Sequence, residues 1–427
     1  MRLEHPNRTE RFGAVRIREL QRVIEIDSGP GRLGDEDGLG FARGISADSL
    51  RGIENDLVIV VPCMNETRKV IEGVLSGIPH DCLIVLVSNS SRHPVDRYEI
   101  EAEALEQFCR YAERPALAVH QRDPGLAAAV KSAGMPELVG EDGLVREGKG
   151  EAMLIGVALA ALSGRRYLGF VDADNYVPGA VTEYCKAYAA GLHQADSPFS
   201  MVRISWGSKP KLRDGRVFFS RRGRSSEITN RFLNRLLGEY SGFGTEAVVT
   251  GNAGEHAMSI DLALRLRLAG GFAIEPYQLI DLFEQFGGVL ETAHPDVMAR
   301  TVQVMQIESR NPHFHDDKGE DHVQDMRTQA LNALYHSPLC LPSVQDEIRE
   351  FLIAEGVMGV GEDPPVERVY KPVGTMALDI FFDELAAEAE SFRQVNRRLP
   401  AGLRTDPPIR RPELAVPILA DSTLDPA

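Results

Sequence analysis

Tyr167–Val177 reads YLGFVDADNYV. Its first part, Tyr167, Leu168, Phe170 and Val171, is an apolar run long enough for one buried strand. Two carboxylates, Asp172 and Asp174, follow where that strand should stop. In an open α/β sheet, ligands bind just beyond the carboxyl ends of the strands. Two hard oxygen ligands, one residue apart at such an edge, can hold a divalent cation against a diphosphate. A bare Asp-X-Asp also fits a solvated turn, so its meaning depends on what flanks it.

Upstream, Asp56-Leu57-Val58-Ile59-Val60-Val61-Pro62 is a β-branched run stopped by proline, the signature of a fully buried parallel strand. Thr67–Ile78 reads as a helix. Cys82–Val87 is a second buried strand, followed by polar Ser88-Asn89-Ser90-Ser91. A helical pattern over 97–112 and a short strand at Leu117–His120 come next. Gly148-Lys149-Gly150-Glu151 then opens a helix through Leu162, just before the strand at 167–171. This alternation predicts an α/β fold with a mainly parallel sheet flanked by helices, occupying 51–205. Residues 1–50 supply a strand, from the alternation of Val15, Ile17 and Leu20, and a Gly- and Asp-rich loop packing on that core.

Downstream, Pro178–Leu192 reads as a helix and Val202–Trp206 as a strand. Residues 207–224 are basic, with Lys209, Lys211, Arg213, Arg216, Arg221, Arg222 and Arg224 around Gly215, which suits a hairpin or flap. A helix over 225–240 follows. Thr250-Gly251-Asn252-Ala253-Gly254-Glu255-His256 is a small, polar loop read as leading into a helix that runs to Leu268. Such a loop presents backbone N–H groups to a phosphate or carboxylate. Phe272–Leu290 reads as a strand and then a helix or turn, and Val302–Ile307 as a strand. His313-Phe314-His315, followed by acids, is a candidate metal or substrate segment. Residues 206–322 thus carry a candidate anion-binding loop and a candidate metal or substrate segment. Helices at 323–335, 343–354 and 376–397 make 323–398 a helical C-terminal region, and 399–427 is a Pro-rich tail.

The 427 residues are 43% hydrophobic and 26% charged, ordinary for a globular protein. A formal net charge of −16 argues against nucleic acid and against an anionic membrane surface. The first residues show no apolar signal segment, and no apolar run suggests a membrane span. Five scattered cysteines fit a reducing cytoplasm.

Val60–Glu66, Ser88–Ser91, Lys149–Ala152, Asp172–Asp174 and His313–His315 occur in one order. With TGNAGEHAM and RNPHFHDDKG, they form a set that resembles the GT-A glycosyltransferases. More narrowly, the set is similar to the mannosyl-3-phosphoglycerate synthase family, over residues 10–400. The resemblance implies a GT-A fold and retaining transfer of mannose from GDP-mannose to 3-phosphoglycerate, helped by a divalent cation (Mg, Mn, Co or Zn). It makes Asp174 the metal ligand, with His315 the first choice and His313 the second for a histidine partner. It places Pro62, Asn65, Glu66, Ser88 and Asn89 on the nucleotide sugar, together with Lys149, Asp172 and Ala173. Lys149 would meet the diphosphate or the sugar, and Asp172 or Glu255 would act as a carboxylate beneath the sugar. Gly251, Asn252, Ala253 and Gly254 would take one anion of the acceptor, and Arg203 or the basic flap the other. A homodimer through the helices at 343–397 is a further expectation.

Three other readings compete. A glucosyl-3-phosphoglycerate synthase would share these motifs. An aspartyl-nucleophile phosphatase also begins with Asp-X-Asp after a strand, but it carries Thr where Tyr176 stands here. A non-catalytic nucleotide-sugar-binding protein would bind without turnover.

Overall fold

The computed structural model describes residues 1–26, 42–175, 177–213, 216–218, 224–316 and 319–396. The strands that position the site are β1 (Val15–Arg18), β2 (Leu57–Cys63), β3 (Leu83–Ser88), β4 (Ala116–His120), β5 (Tyr167–Phe170), β6 (Phe199–Trp206), β7 (His256–Ser259), β8 (Val302–Ser309) and β9 (Arg393–Val395). The helices around them are α1 (Arg68–Gly77), α2 (Arg97–Tyr111), α3 (Lys149–Leu162), α4 (Pro178–Gln194), α5 (Arg224–Ser241), α6 (Ile274–Phe286) and α7 (Glu320–Tyr335).

Among the described residues, one mixed sheet of thirteen strands runs β9-β4-β3-β2-β5-β7-β6-β8 through its centre. The block β4-β3-β2-β5 is parallel throughout. The β-branched and aliphatic side chains of β2 and β3 are almost all buried, and each fully buried Val, Leu or Ile contributes about 1.5–3 kcal/mol. Alternate residues face two hydrophobic clusters, one on each side of the sheet. Val58 and Val60 belong to one, and Leu57, Ile59 and Val61 to the other. Helix α3 is apolar nearly all round and is buried accordingly, which fixes its first residue, Lys149, at the sheet's carboxyl edge.

The expected strands at 56–62, 82–87, 117–120, 167–171, 202–206 and 302–307 are present, with small shifts of boundary. Three readings are corrected. The loop at 250–255 leads into strand β7, not a helix; only the short helix Ile260–Ala263 follows. Here tertiary pairing overrides local pattern: β7 is inserted between β5 and β6, antiparallel to both. Residues 272–290 contain no strand, because a 3-10 turn at Gly271–Ala273 runs straight into α6. The last expected helix stops at Glu388, and the chain then returns to the sheet as β9, antiparallel on β4.

The basic segment does contain a hairpin, Lys211–Arg213 with Arg216–Phe218, and His315–Asp316 pairs parallel to its first strand. The sheet draws strands from the segments 1–50, 206–322 and 323–398 as well as from 51–205. The tail from 399 lies outside the described residues. Among the described residues, no helix is long and apolar enough to cross a membrane.

Candidate active site

The turns after β2 and β3 are locked together by buried polar groups. Asn65 adopts φ 61°, a left-handed conformation that asparagine tolerates. Its N–H donates to Ser90 Oγ at 2.6 Å, and its Oδ1 accepts from Ser91 N at 3.0 Å. Beneath them, the buried Glu101 carboxyl accepts from Ser88 Oγ (2.6 Å) and Ser90 Oγ (2.5 Å). Burial pushes the Glu101 carboxyl up, against the pull of these hydroxyls. Pro62, Asn65, Glu66 and Asn89 are left on the wall of a cleft of about 820 Å³. Ser88 is absent from that wall: fully buried and bonded to Glu101, it supports the turn and does not face a ligand.

Lys149, Asp172, Ala173 and Asp174 also line the cleft, as do Asn252, Gly254 and Glu275. The Lys149 ammonium sits 2.7 Å from Asp172 Oδ1 and 2.8 Å from Glu275 Oε1. Burial works against its charge, but the two carboxylates outweigh burial and hold the ammonium well above the usual lysine range. Burial alone would raise the Asp172 carboxyl; Lys149 reverses this and keeps it below its ordinary value. Gly254 lies close against this cluster, and a side chain there would displace its charged ends. A Cβ there would lie 2.6 Å from Asp172 Oδ2, 3.0 Å from Lys149 Nζ and 3.1 Å from Glu275 Oε1.

Glu255 does not line the cleft. Its carboxyl is completely buried behind the wall, with Oε1 accepting from Asn175 Nδ2 at 3.0 Å and lying 3.8 Å from His313 Nδ1. Burial, and then the nearby Asp172 charge, push it up to about 8. The His313 ring is stacked on Trp206, with centroids 4.6 Å apart, and it lines the cleft. The other face of the problem, the His315 side chain, lies outside the described ones. Lys209 sets its ammonium 4.4 Å from the Trp206 ring centroid, and burial lowers it despite four surrounding carboxylates.

Arg203 is corrected most clearly. It is 0% exposed, and its guanidinium donates to the carbonyls of Thr250 (3.0 Å), Gly251 (3.2 Å) and Glu275 (2.9 Å) and to Gln278 Oε1 (2.9 Å). A guanidinium so occupied holds the loop 250–254 from beneath and has no fork left for an anion. The fully buried His256 completes this support. It faces the carbonyls of Ala253 and Gly254 through Nδ1 and Gln278 through Nε2, and burial pushes it down to about 3. Of the loop itself, Asn252 and Gly254 reach the cleft, while Gly251 and Ala253 are buried without lining it.

Glu275 and Trp206 were not among the sequence candidates, and Lys209 was read only as one residue of the basic flap. Glu275 carried one readable signal: it is an acid at the start of the largely apolar segment IEPYQLIDLFEQF, and an acid in a buried helix needs a partner.

Paired carboxylates at the end of a central strand, an ammonium bridging to a further glutamate, and a cleft over the carboxyl ends of parallel strands define an α/β protein with a ligand site at its strand ends. The family model for mannosyl-3-phosphoglycerate synthase matches residues 5–385, and the chain belongs to that family. It is 41% identical over 380 residues to mannosyl-3-phosphoglycerate synthase of Pyrococcus furiosus, covering 89% of this chain and 95% of the relative. It is 36% identical over 392 residues to that of Aeropyrum pernix, covering 92% and 99%. A solved structure of glucosyl-3-phosphoglycerate synthase from Mycobacterium tuberculosis, in complex with Mn2+, UDP-glucose and glycerol 3-phosphate, overlays with TM-score 0.48. The identity is 18%, over 77% of this chain and 95% of that one, which is too distant to carry anything across.

Proposed function

We propose that this enzyme moves mannose from GDP-mannose to the hydroxyl of 3-phosphoglycerate with retention of configuration, giving mannosyl-3-phosphoglycerate. The observation that carries the reading, within the family, is the Asp172/Asp174 pair at the end of β5, facing the cleft. The nucleotide lies over the ends of β2 and β3, against Pro62, Asn65, Glu66 and Asn89. The sugar lies at Lys149 and Asp172, and the acceptor lies beyond, at the loop before β7.

The described lining holds five carboxylates (Glu66, Glu147, Asp172, Asp174, Glu275) and only two ammonium groups, Lys149 and Lys209. A diphosphate meets repulsion in such a cleft unless a cation is present. Among the described residues, no three His, Cys, Asp or Glu side chains gather as a metal cage. Asp174 and one histidine, His315 or His313, would hold such a cation. When bound, such a cation neutralises the charge that develops on the departing diphosphate.

The chain's own groups do the rest. Lys149 holds Asp172 as a carboxylate beside the sugar. The sugar's anomeric C–O bond to the diphosphate breaks, the acceptor oxygen bonds on the same face, and its proton passes to the departing phosphate oxygen. The buried thiols of all five cysteines support a reducing compartment such as the cytoplasm.

The test is to offer radiolabelled GDP-mannose and UDP-glucose side by side with 3-phosphoglycerate, with Mg or Mn and with chelator. Label entering product from GDP-mannose, and lost on chelation, is expected. Transfer from UDP-glucose alone would replace the donor assignment, and chelator-resistant transfer would remove the cation.

A further inference from the structure

Asn252 is 3% exposed and lines the cleft, yet neither its Oδ1 nor its Nδ2 has a hydrogen-bond partner among the described residues. Buried amide groups are rarely left so, because each unpaired donor or acceptor is costly. The residue is not on a loose loop. Arg203 grips the carbonyls of Thr250 and Gly251, Asn230 Oδ1 accepts from Gly251 N at 2.7 Å, and Ala253 N donates to Thr250 O at 3.2 Å. The backbone on either side is therefore fixed, and the amide is held ready for something outside the protein.

Its place in the sheet says which substrate that is. The order β3-β2-β5-β7 puts the nucleotide strands on one side of the Asp172/Asp174 strand and the loop before β7 on the other. Whatever meets Asn252 comes from the side away from the nucleotide. The amide offers one acceptor and one donor edge. A phosphate or a carboxylate alone presents only acceptors and would leave Oδ1 orphaned. An α-hydroxy acid presents a hydroxyl donor next to a carboxylate acceptor, which matches both edges at once.

We propose that the Asn252 side chain reads the hydroxy-acid end of the acceptor. Before reaction Oδ1 accepts from the hydroxyl that will be glycosylated, whose proton turns to the departing phosphate oxygen as the new bond forms, and Nδ2 donates to the neighbouring carboxylate. This rests on 3-phosphoglycerate being the acceptor. Asn252 then selects a 2-hydroxy acid over a phosphorylated polyol and aims the attacking oxygen at the sugar.

Wild type, Asn252→Ala and Asn252→Asp would be assayed with 3-phosphoglycerate and with glycerol 3-phosphate, which lacks the carboxylate. GDP-mannose affinity and melting temperature would be recorded for each. For 3-phosphoglycerate, kcat/KM is expected to fall about 10- to 100-fold in the alanine variant. It should fall further in the isosteric aspartate variant, whose added charge repels the carboxylate. Glycerol 3-phosphate transfer should fall by clearly less, because only the hydroxyl contact is lost, while GDP-mannose affinity stays near wild type, so discrimination between the two acceptors shrinks. Equal losses on both acceptors, weakened GDP-mannose binding in a well-folded variant, or unchanged discrimination would each overturn the proposal. A wild type that transfers to neither acceptor would instead overturn the acceptor assignment itself.

Discussion

Lys149 Nζ lies 2.8 Å from Glu275 Oε1, joining the first residue of α3 to the second residue of α6 across the floor of the cleft. The same ammonium holds Asp172, so one cation keeps two carboxylates in place. Lys149→Met leaves both without it. The cost is expected to be about 3 kcal/mol or more, as for removal of one member of a buried pair. Denaturant titration checks this, and a variant as stable as wild type would contradict the arrangement. Glu275→Gln keeps the shape and removes one charge. About a tenfold loss in kcat/KM is expected, by analogy with groups that orient a functional side chain.

Asp174→Ala is expected to lower transfer on the order of 10² to 10³-fold, the usual loss on removing a group that stabilises developing charge. Its dependence on added Mg or Mn should also weaken. Titrating the cation in a transfer assay separates the two effects. Retention of full activity at limiting cation would exclude Asp174 as a ligand.

Arg203→Lys keeps a positive charge but cannot reach three carbonyls and Gln278 together. The loop it supports carries Asn252 and Gly254, so the KM for 3-phosphoglycerate should rise while GDP-mannose affinity changes little. If the two substrates were affected alike, Arg203 would not be acting through the loop.

Three buried groups with large shifts set a pH profile for stability; burial raises Asp281 to about 7, so it acts in the same sense as Glu255. Folded Glu255 keeps its proton up to about 8 against an ordinary value of 4.5, so its contribution is full below 4.5 and is lost as pH rises through 8. His256 is pushed down to about 3 from 6.5, so its contribution is present above 6.5 and is lost as pH falls through 3. Between 4.5 and 6.5 the slopes oppose each other. Above that range Glu255, joined by Asp281 up to about pH 7, should lower stability by up to about 1.4 kcal/mol per pH unit for each group. Melting curves from pH 5 to 9 are expected to fall towards alkaline pH, and Glu255→Gln should flatten the fall between pH 7 and 8.

The parallel core was legible because its strands announce themselves locally. DLVIVVP and CLIVLV are continuous apolar runs, and each became a buried strand. The segment HAMS was not legible, because its strand exists only through pairing with β5 and β6, residues far away in the chain. Asp172, Asp174 and Lys149 could be read from their positions at element ends. The role of Arg203 could not, since a lone arginine in a strand says nothing of whether its donors face a ligand or four internal acceptors. Ser88 was misread for the same reason. Its partner, Glu101, lies on α2 and only the fold brings them together.

Strand β9 has a consequence for how the chain is made. It covers the outer edge of β4, with Asn396 Nδ2 donating to the carbonyls of Cys109 and Arg114 and Ser391 Oγ accepting from His120 N. An uncovered edge strand is a template for aggregation. During synthesis, β4 emerges long before residues 391–396 exist, so a nascent chain must wait with this edge open. Variants shortened before residue 391 would keep every cleft residue named above and still leave the edge permanently bare, so they should fail by self-association before any fault in catalysis is seen.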